Sequence, residues 1–144
     1  MTRNYTEFHD GWLEGFLMKD EAAHLFLADE KKKRSVIVAH SVITLRLDGA
    51  REGNIIFEVV ERPCEETSES DIVAFFPDAA EAASLLERAR ARRLSLLEIN
   101  PSYGGTCMVL AARFELMTRT EWLAREASSA TPSSALPRSN PPGS

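Results

Sequence analysis

Cysteine is scarce in this 144-residue chain, which carries only Cys64 and Cys107. Two thiols allow one bridge at most, and the opening stretch MTRNYTEFHDGW has no continuous apolar core of the kind a secretory signal needs. The expectation is a cytoplasmic chain with reduced thiols. Long apolar runs are missing too, and none approaches the roughly 20 residues that span a bilayer, so no membrane partner is expected. Basic charge is in deficit. With Lys+Arg 17 against Asp+Glu 22 the net charge is −5. That argues against a nucleic-acid binder, which draws its affinity from a basic face and counterion release. An acidic surface favours basic partners instead. The 44% hydrophobic and 27% charged content is ordinary for one globular domain, and the length fits one such unit.

What is present is mostly short alternating runs. Residues 11–18 (GWLEGFLM) place Trp12, Phe16 and Met18 on one side at period two, with Leu13 and Leu17 on the other. Lys19, Asp20 and Glu21 read as a tight turn. Residues 22–28 follow as a second strand with Leu25 and Leu27 on one face, and Asp29 to Arg34 as a hairpin loop. Ser35 to His40 is rich in β-branched residues and reads as a third strand. Ile43, Leu45 and Leu47 alternate with Thr44, Arg46 and Asp48 in the cleanest half-buried strand of the chain. After turn residues 49–53, the run NIIFEVVE over 54–61 completes five short strands, a pattern that predicts an antiparallel meander.

Residues 62–70 read as an exposed loop and Asp71 to Phe76 as a sixth strand, closed by Pro77. A helix is expected over 78–93. Asp78 is its N-cap, with Glu81 completing an approximate capping box. Ala82, Leu85, Leu86 and Ala89 form its buried stripe, while Arg88, Arg90, Arg92 and Arg93 suit its C-terminal dipole. Leu94 to Ile99 reads as a strand, 100–105 as a turn, and 106–116 as one last strand with Met108, Leu110, Ala112 and Phe114 on one side. A short helix around 118–127 lets Trp122 and Leu123 cap the fold. Residues 1–126 thus form one domain, and 127–144, rich in Ser, Pro and Ala, a disordered tail.

Few constellations carry chemistry. His9–Asp10 suggests a metal-dependent phosphohydrolase, but no further ligands converge at a recognisable spacing, and an entry turn explains the pair. His24 and His40 fall in strands on the less apolar face and lack a third ligand. Cys107 alternates into an apolar strand as a small buried hydrophobe, and Glu65 beside Cys64 raises that thiol's pKa. Lys31–Lys32–Lys33–Arg34 is solubilising charge at a hairpin tip. The segment 101–105 lacks the lysine and helix of a phosphate loop. No catalytic residue, metal or cofactor is assigned. Glu58, Glu61, Glu65, Glu66, Glu69 and Asp71, by contrast, crowd fourteen residues against Arg62 alone. That cluster is the candidate surface for a basic partner, steered electrostatically.

Three fragments, Phe8–His9–Asp10–Gly11, Gly53–Asn54–Ile55–Ile56 and Pro101–Ser102–Tyr103–Gly104, together resemble small bacterial domains. Among these are the predicted immunity proteins of polymorphic toxin systems, the immunity protein 50 type included. The resemblance spans about residues 7–117. It implies an α+β fold with a curved sheet, no catalytic residues, and neutralisation of a toxin by direct binding; the Ser/Pro tail departs from the pattern.

The expected fold is therefore α+β: an antiparallel, strongly bent sheet, a β-roll or partial barrel, with the main helix lying across its inner row. The expected function is a cytoplasmic, immunity-like protein-binding module that meets a basic partner through its acidic loop. The alternative is a small-molecule-binding or enzymatic domain using the concave face, with Trp12, Phe16, His24 and His40 lining the pocket. A structural reading makes the chain a self-associating unit that pairs through an exposed edge strand.

Overall fold

Alternating apolar residues fold most of this chain into antiparallel sheet, and helices cover parts of its surface. The computed structural model describes residues 1–134, with side chains through 129. Its strands are β1 (Arg3–Asn4), β2 (Trp12–Lys19), β3 (Ala22–Ala28), β4 (Arg34–His40), β5 (Thr44–Asp48), β6 (Asn54–Pro63), β7 (Ser95–Tyr103), β8 (Thr106–Ala111) and β9 (Arg113–Thr118). The α-helices are α1 (Glu69–Ile72), α2 (Ala79–Ala91) and α3 (Arg119–Ser134). The strand order is β5-β8-β7-β6-β2-β3-β4-β9, with β1 beside β6. The α+β class and the antiparallel direction are as the strand pattern predicts, but the expected five-strand meander stops at β4, which pairs with β9, while β5 pairs with β8.

A single central core takes residues from both halves of that order. Leu25 and Leu27 of β3 and Ile37 and Ala39 of β4 meet Val59, Leu97, Ile99, Cys107 and Val109 of β6, β7 and β8. The alternate residues of β7 and β8 (Leu96, Met108 and Leu110) point the other way and pack beneath α2 with Ala82, Leu85, Leu86 and Ala89. The buried stripe of α2 is thus the predicted one, but it covers the face opposite the central core instead of lying across the inner row. The reason is in β7 and β8, whose buried side chains, Glu98 apart, are apolar on both faces and need two apolar covers. A third, smaller cluster sits under α3, where Trp122 packs with Phe26, Val36, Val38 and Met117.

Several sequence expectations are corrected. Asp71–Phe76 is not a strand: Ser68 and Asp71 form a capping box that starts α1, and a 3-10 turn follows over Val73–Phe75. The stretch 62–70 is not a simple exposed loop, because β6 runs on to Pro63 and Cys64 and Thr67 are buried. Strand β7 continues to Tyr103 through the expected turn. The last strand is two, broken at Ala112, whose N–H donates to the His40 carbonyl at 2.8 Å. That break turns Phe114 into the central core while Met108 and Leu110 face α2. A bulge between Leu13 and Gly15 has a similar effect: Leu13, Phe16 and Met18 stand opposite Leu27, Leu25 and Ala23 of the core row, and Trp12 falls on the other face. Ile43 joins the α2 cluster while Leu45 and Leu47 join the central core. At α2, Asp78 caps Ala80 N at 2.9 Å as expected, but Glu81 lies by Arg46. Helix α3 continues through 127–134, positions assigned by composition to the tail, and 135–144 lie outside the described residues. Trp122 does cap the fold, whereas Leu123 is exposed.

The three fragments noted in the sequence meet in space. Asp10 N donates to the Ile56 carbonyl at 3.0 Å and Ile56 N to the Gly11 carbonyl at 2.9 Å, while Ile55 and Ile56 pair with Tyr103 and Pro101. Asn54 Oδ1 accepts from Arg51 N at 2.8 Å and Gly105 N at 2.9 Å, tying two turns together. A Cβ on Gly11 would stand 2.1 Å from the Ala28 carbonyl oxygen, so only glycine fits there.

Leu86 is 2% exposed in the middle of the α2 stripe. Leu86→Ala is expected to cost about 2–5 kcal/mol in urea denaturation. A change within the scatter of surface substitutions would show that α2 is not packed as described.

Candidate functional site

The six acidic residues predicted to face a partner lie along β6 and the elbow that links it to α2. Most are already engaged. Glu58 accepts from Asn100 Nδ2 at 2.9 Å, and Glu61 from the Tyr5 hydroxyl at 2.5 Å. Burial, reinforced by that bond to Glu61, raises the Tyr5 pKa well above its ordinary value. Glu66 accepts from the Met1 ammonium at 2.8 Å, the main cause of its lowered pKa. Asp71 accepts from Ser68 N at 2.8 Å and Ser68 Oγ at 3.1 Å, and the backbone bond foremost holds its carboxyl below the usual range. Glu65 and Glu69 are exposed, and their carboxylates take no hydrogen bond or ion pair among the described residues.

The elbow under these two carboxylates is fastened from below. Arg90 of α2 donates through Nε to the Cys64 carbonyl at 3.1 Å and through Nη2 to the Thr67 carbonyl. Thr67 Oγ1 donates to the Pro63 carbonyl at 3.1 Å. An arginine expected to serve the helix dipole thus supplies two charge-assisted bonds to otherwise loose backbone. Cys64 lies buried beside it, and burial pushes its thiol up to about 11, with Glu65 adding a smaller rise. Burial likewise lifts Cys107 to about 12. Both thiols are protonated at neutral pH.

The four residues named for a concave pocket do not converge. Trp12 and Phe16 lie on opposite faces of β2, and the central core is filled by apolar side chains. His24 and His40 do share a face, since His24 pairs with Val38, two residues before His40 on the same strand. That face lies beneath α3. Trp122 Nε1–H donates to His24 Nδ1 at 2.8 Å, which leaves the neutral ring its proton on Nε2. His40 Nε2 donates to Glu115 Oε1 at 3.0 Å, and Arg125 donates to Glu115 Oε2 at 2.7 Å. The bond from Arg125 first, then that from His40, holds the Glu115 carboxyl down at about 2. Beside them, Lys19 of β2 pairs with Glu126 of α3. A cleft of about 470 Å³ opens here, lined by Lys19, His24, His40, Trp122 and Arg125 among others. Sequence reading found the two histidines but missed Glu115 and Arg125. Alternation along Arg113, Glu115 and Met117 was the available signal, because it sets all three on the Met117 face.

His9 Nδ1–H donates to the Phe57 carbonyl at 2.8 Å, which raises its pKa most, and the ring stands 3.6 Å from Asp10. No group of His, Cys, Asp or Glu among the described residues is arranged to hold a metal. No helix among them is long and apolar enough to cross a membrane. Comparison of the chain with family models, curated proteins and solved structures yields no match.

Burial lowers the His24 pKa, with Glu126 opposing and Lys19 and His40 adding to the drop. A histidine whose folded pKa lies below its unfolded value contributes stability that is complete above about 6.5 and lost as pH falls toward the folded value. Protonation also sets an Nδ1–H against the Trp122 N–H. Thermal melts are expected to show Tm falling between pH 7 and pH 5, and His24→Gln, which keeps an acceptor for Trp122, should flatten that fall. Parallel profiles for the two proteins would remove His24 from the titration.

Proposed function

We propose that this chain is a non-catalytic, immunity-like module that binds a basic protein partner through the elbow between β6 and α2. The single observation carrying the reading is that Glu65 and Glu69 project unpaired from backbone pinned by Arg90 and by the Ser68–Asp71 capping box. A charged surface on a rigid mount loses little conformational freedom on association. Glu58, Glu61, Glu66 and Asp71 add negative potential although each already has a partner. Such a field raises encounter rates with a basic protein and disfavours acidic competitors.

The proposal includes a strongly bent sheet. Strands β8 and β9 are separated by Ala112 alone, yet they stand near opposite ends of the strand order, and β4 and β5 are likewise separated by only 41–43. Bending in this way turns one face into a filled core, which favours recognition on the outside over a ligand pocket within. A reducing, cytoplasmic setting suits two buried thiols.

Isothermal titration calorimetry against a basic nuclease-type toxin tests the proposal. Binding should weaken as salt rises and fall roughly tenfold or more in the double variant Glu65→Lys/Glu69→Lys. An affinity indifferent to both changes would reject the elbow as the binding surface.

A further inference from the structure

Strand β2 is uncovered where it runs past the end of β6. It pairs with β3 from Trp12↔Ala28 to Lys19↔Ala22, but with β6 only at Trp12↔Ile55 and Leu13↔Asn54. From Gly15 to Lys19 its second edge meets no strand among the described residues. Two of the side chains there belong to the core row, while Leu17 and Lys19 lie on the other face opposite His24 and Ala22. Phe16 and Met18 stand opposite Leu25 and Ala23, both in the central core, yet they are 45% and 46% exposed. Leu13, earlier in the same row and covered by the β6 pairing, is 6% exposed.

The space beside this edge is open. A cleft of about 340 Å³ runs there, lined by Gly15, Phe16 and Leu47 and reaching the core residues Leu25 and Cys107. On the opposite face, which Phe26 shares, a Cβ on Gly15 would also meet nothing within 4 Å. Soluble proteins guard such edges with charge, proline or a covering element. Here the run Gly15–Phe16–Leu17–Met18 carries no guard, and the following Lys19 is held by Glu126.

Acidic residues that flank the open edge and the cleft-lining residues along the chain select the occupant. Asp20 and Glu21 in the β2–β3 turn, and Asp48 and Glu52 at and beyond the end of β5, make no ion pair among the described residues. Among the nearby cations Arg46 and Arg51 are engaged, whereas Lys32, which lines the adjoining cleft with Glu52, makes no ion pair among the described residues. Arg46 lies by Glu81 and over the Phe76 ring, and Arg51 lies over the Tyr103 ring. We infer that β2 takes up an extended segment of a basic partner as an added strand, whose apolar side chains cover Phe16 and Met18 while alternate Lys or Arg residues reach Asp20, Glu21, Asp48 and Glu52. Backbone hydrogen bonds supply affinity in this mode and alternate side chains supply specificity. The inference shares with the proposed function only the sign of the partner's charge, and it uses a different surface from the elbow.

The probe is a short capped peptide of alternating Val and Lys, with a Val/Glu peptide as control, added to the full chain while amide hydrogen exchange is followed by NMR. The Val/Lys peptide should slow exchange within Gly15–Lys19 by roughly tenfold or more, and the control should not. Phe16→Ser/Met18→Ser should lose the protection with its thermal melt retained. Met18→Lys, a lighter change at a half-exposed site, serves the same purpose if the double variant unfolds. Glu65→Lys/Glu69→Lys should keep the protection, so that a failed elbow leaves this inference standing and the reverse is equally readable. Absent protection, protection confined to the edges of β5 or β9, or equal protection by the Val/Glu peptide would overturn it. So would a dimer by light scattering that shields β2 without peptide, since the occupant would then be a second copy.

Discussion

Strands β7 and β8 bury apolar side chains on both faces, broken only by Glu98, which Arg62 neutralises, and the arrangement of the rest follows from that constraint. Leu97, Ile99, Cys107 and Val109 go to the central core while Leu96, Met108 and Leu110 go to α2, so neither face of this pair is left to water. Each fully buried aliphatic side chain contributes about 1.5–3 kcal/mol, which makes the doubly covered pair a large part of the hydrophobic stabilisation of the sheet. The helix must therefore sit on the outside of β7 and β8. Its Arg90 then falls within reach of the Cys64 and Thr67 carbonyls, and the elbow that bears Glu65 and Glu69 is fastened as a by-product of core formation.

The two halves of the sheet are covered unequally. Around α2 the packing is apolar and deep. Around α3 it rests on one tryptophan and on polar links: Trp122 to His24, Arg125 to Glu115, and Glu126 to Lys19. Such contacts respond to pH and salt, whereas the α2 cluster does not, so local opening should begin at α3. The open edge of β2 lies in this same half, because β6 ends at Asn54 and leaves the remainder of β2 without a second neighbour.

Much of the fold is legible in the sequence where one periodicity holds over a whole element. Ala82, Leu85, Leu86 and Ala89 read as the buried stripe of a helix and are that stripe, and Leu25 and Leu27 share the inner face. Misreadings arise where a single residue shifts the phase. The bulge after Leu13 moves Phe16 and Met18 into its row, and the break at Ala112 reverses Phe114 relative to Leu110. Asp71–Phe76 reads as strand from its apolar run, but the capping bonds of Ser68 and Asp71 initiate a helix locally and override that preference. Among the site residues, the acidic cluster is visible as composition. That Glu61, Glu66 and Asp71 already have partners, from Tyr5, Met1 and Ser68, is not, since two of those partners are distant in the chain.

By itself the sequence determined the type of most elements, the acidic balance and, where no bulge or break shifts the phase, the row of side chains that must leave water, because these depend on neighbours within a few residues. Only the tertiary structure decided which face each row meets, which carboxylates keep a free charge and which strand edge lacks a neighbour. Those outcomes depend on register and on contacts between residues far apart in the chain, and a one-residue shift in register exchanges the two faces of a strand.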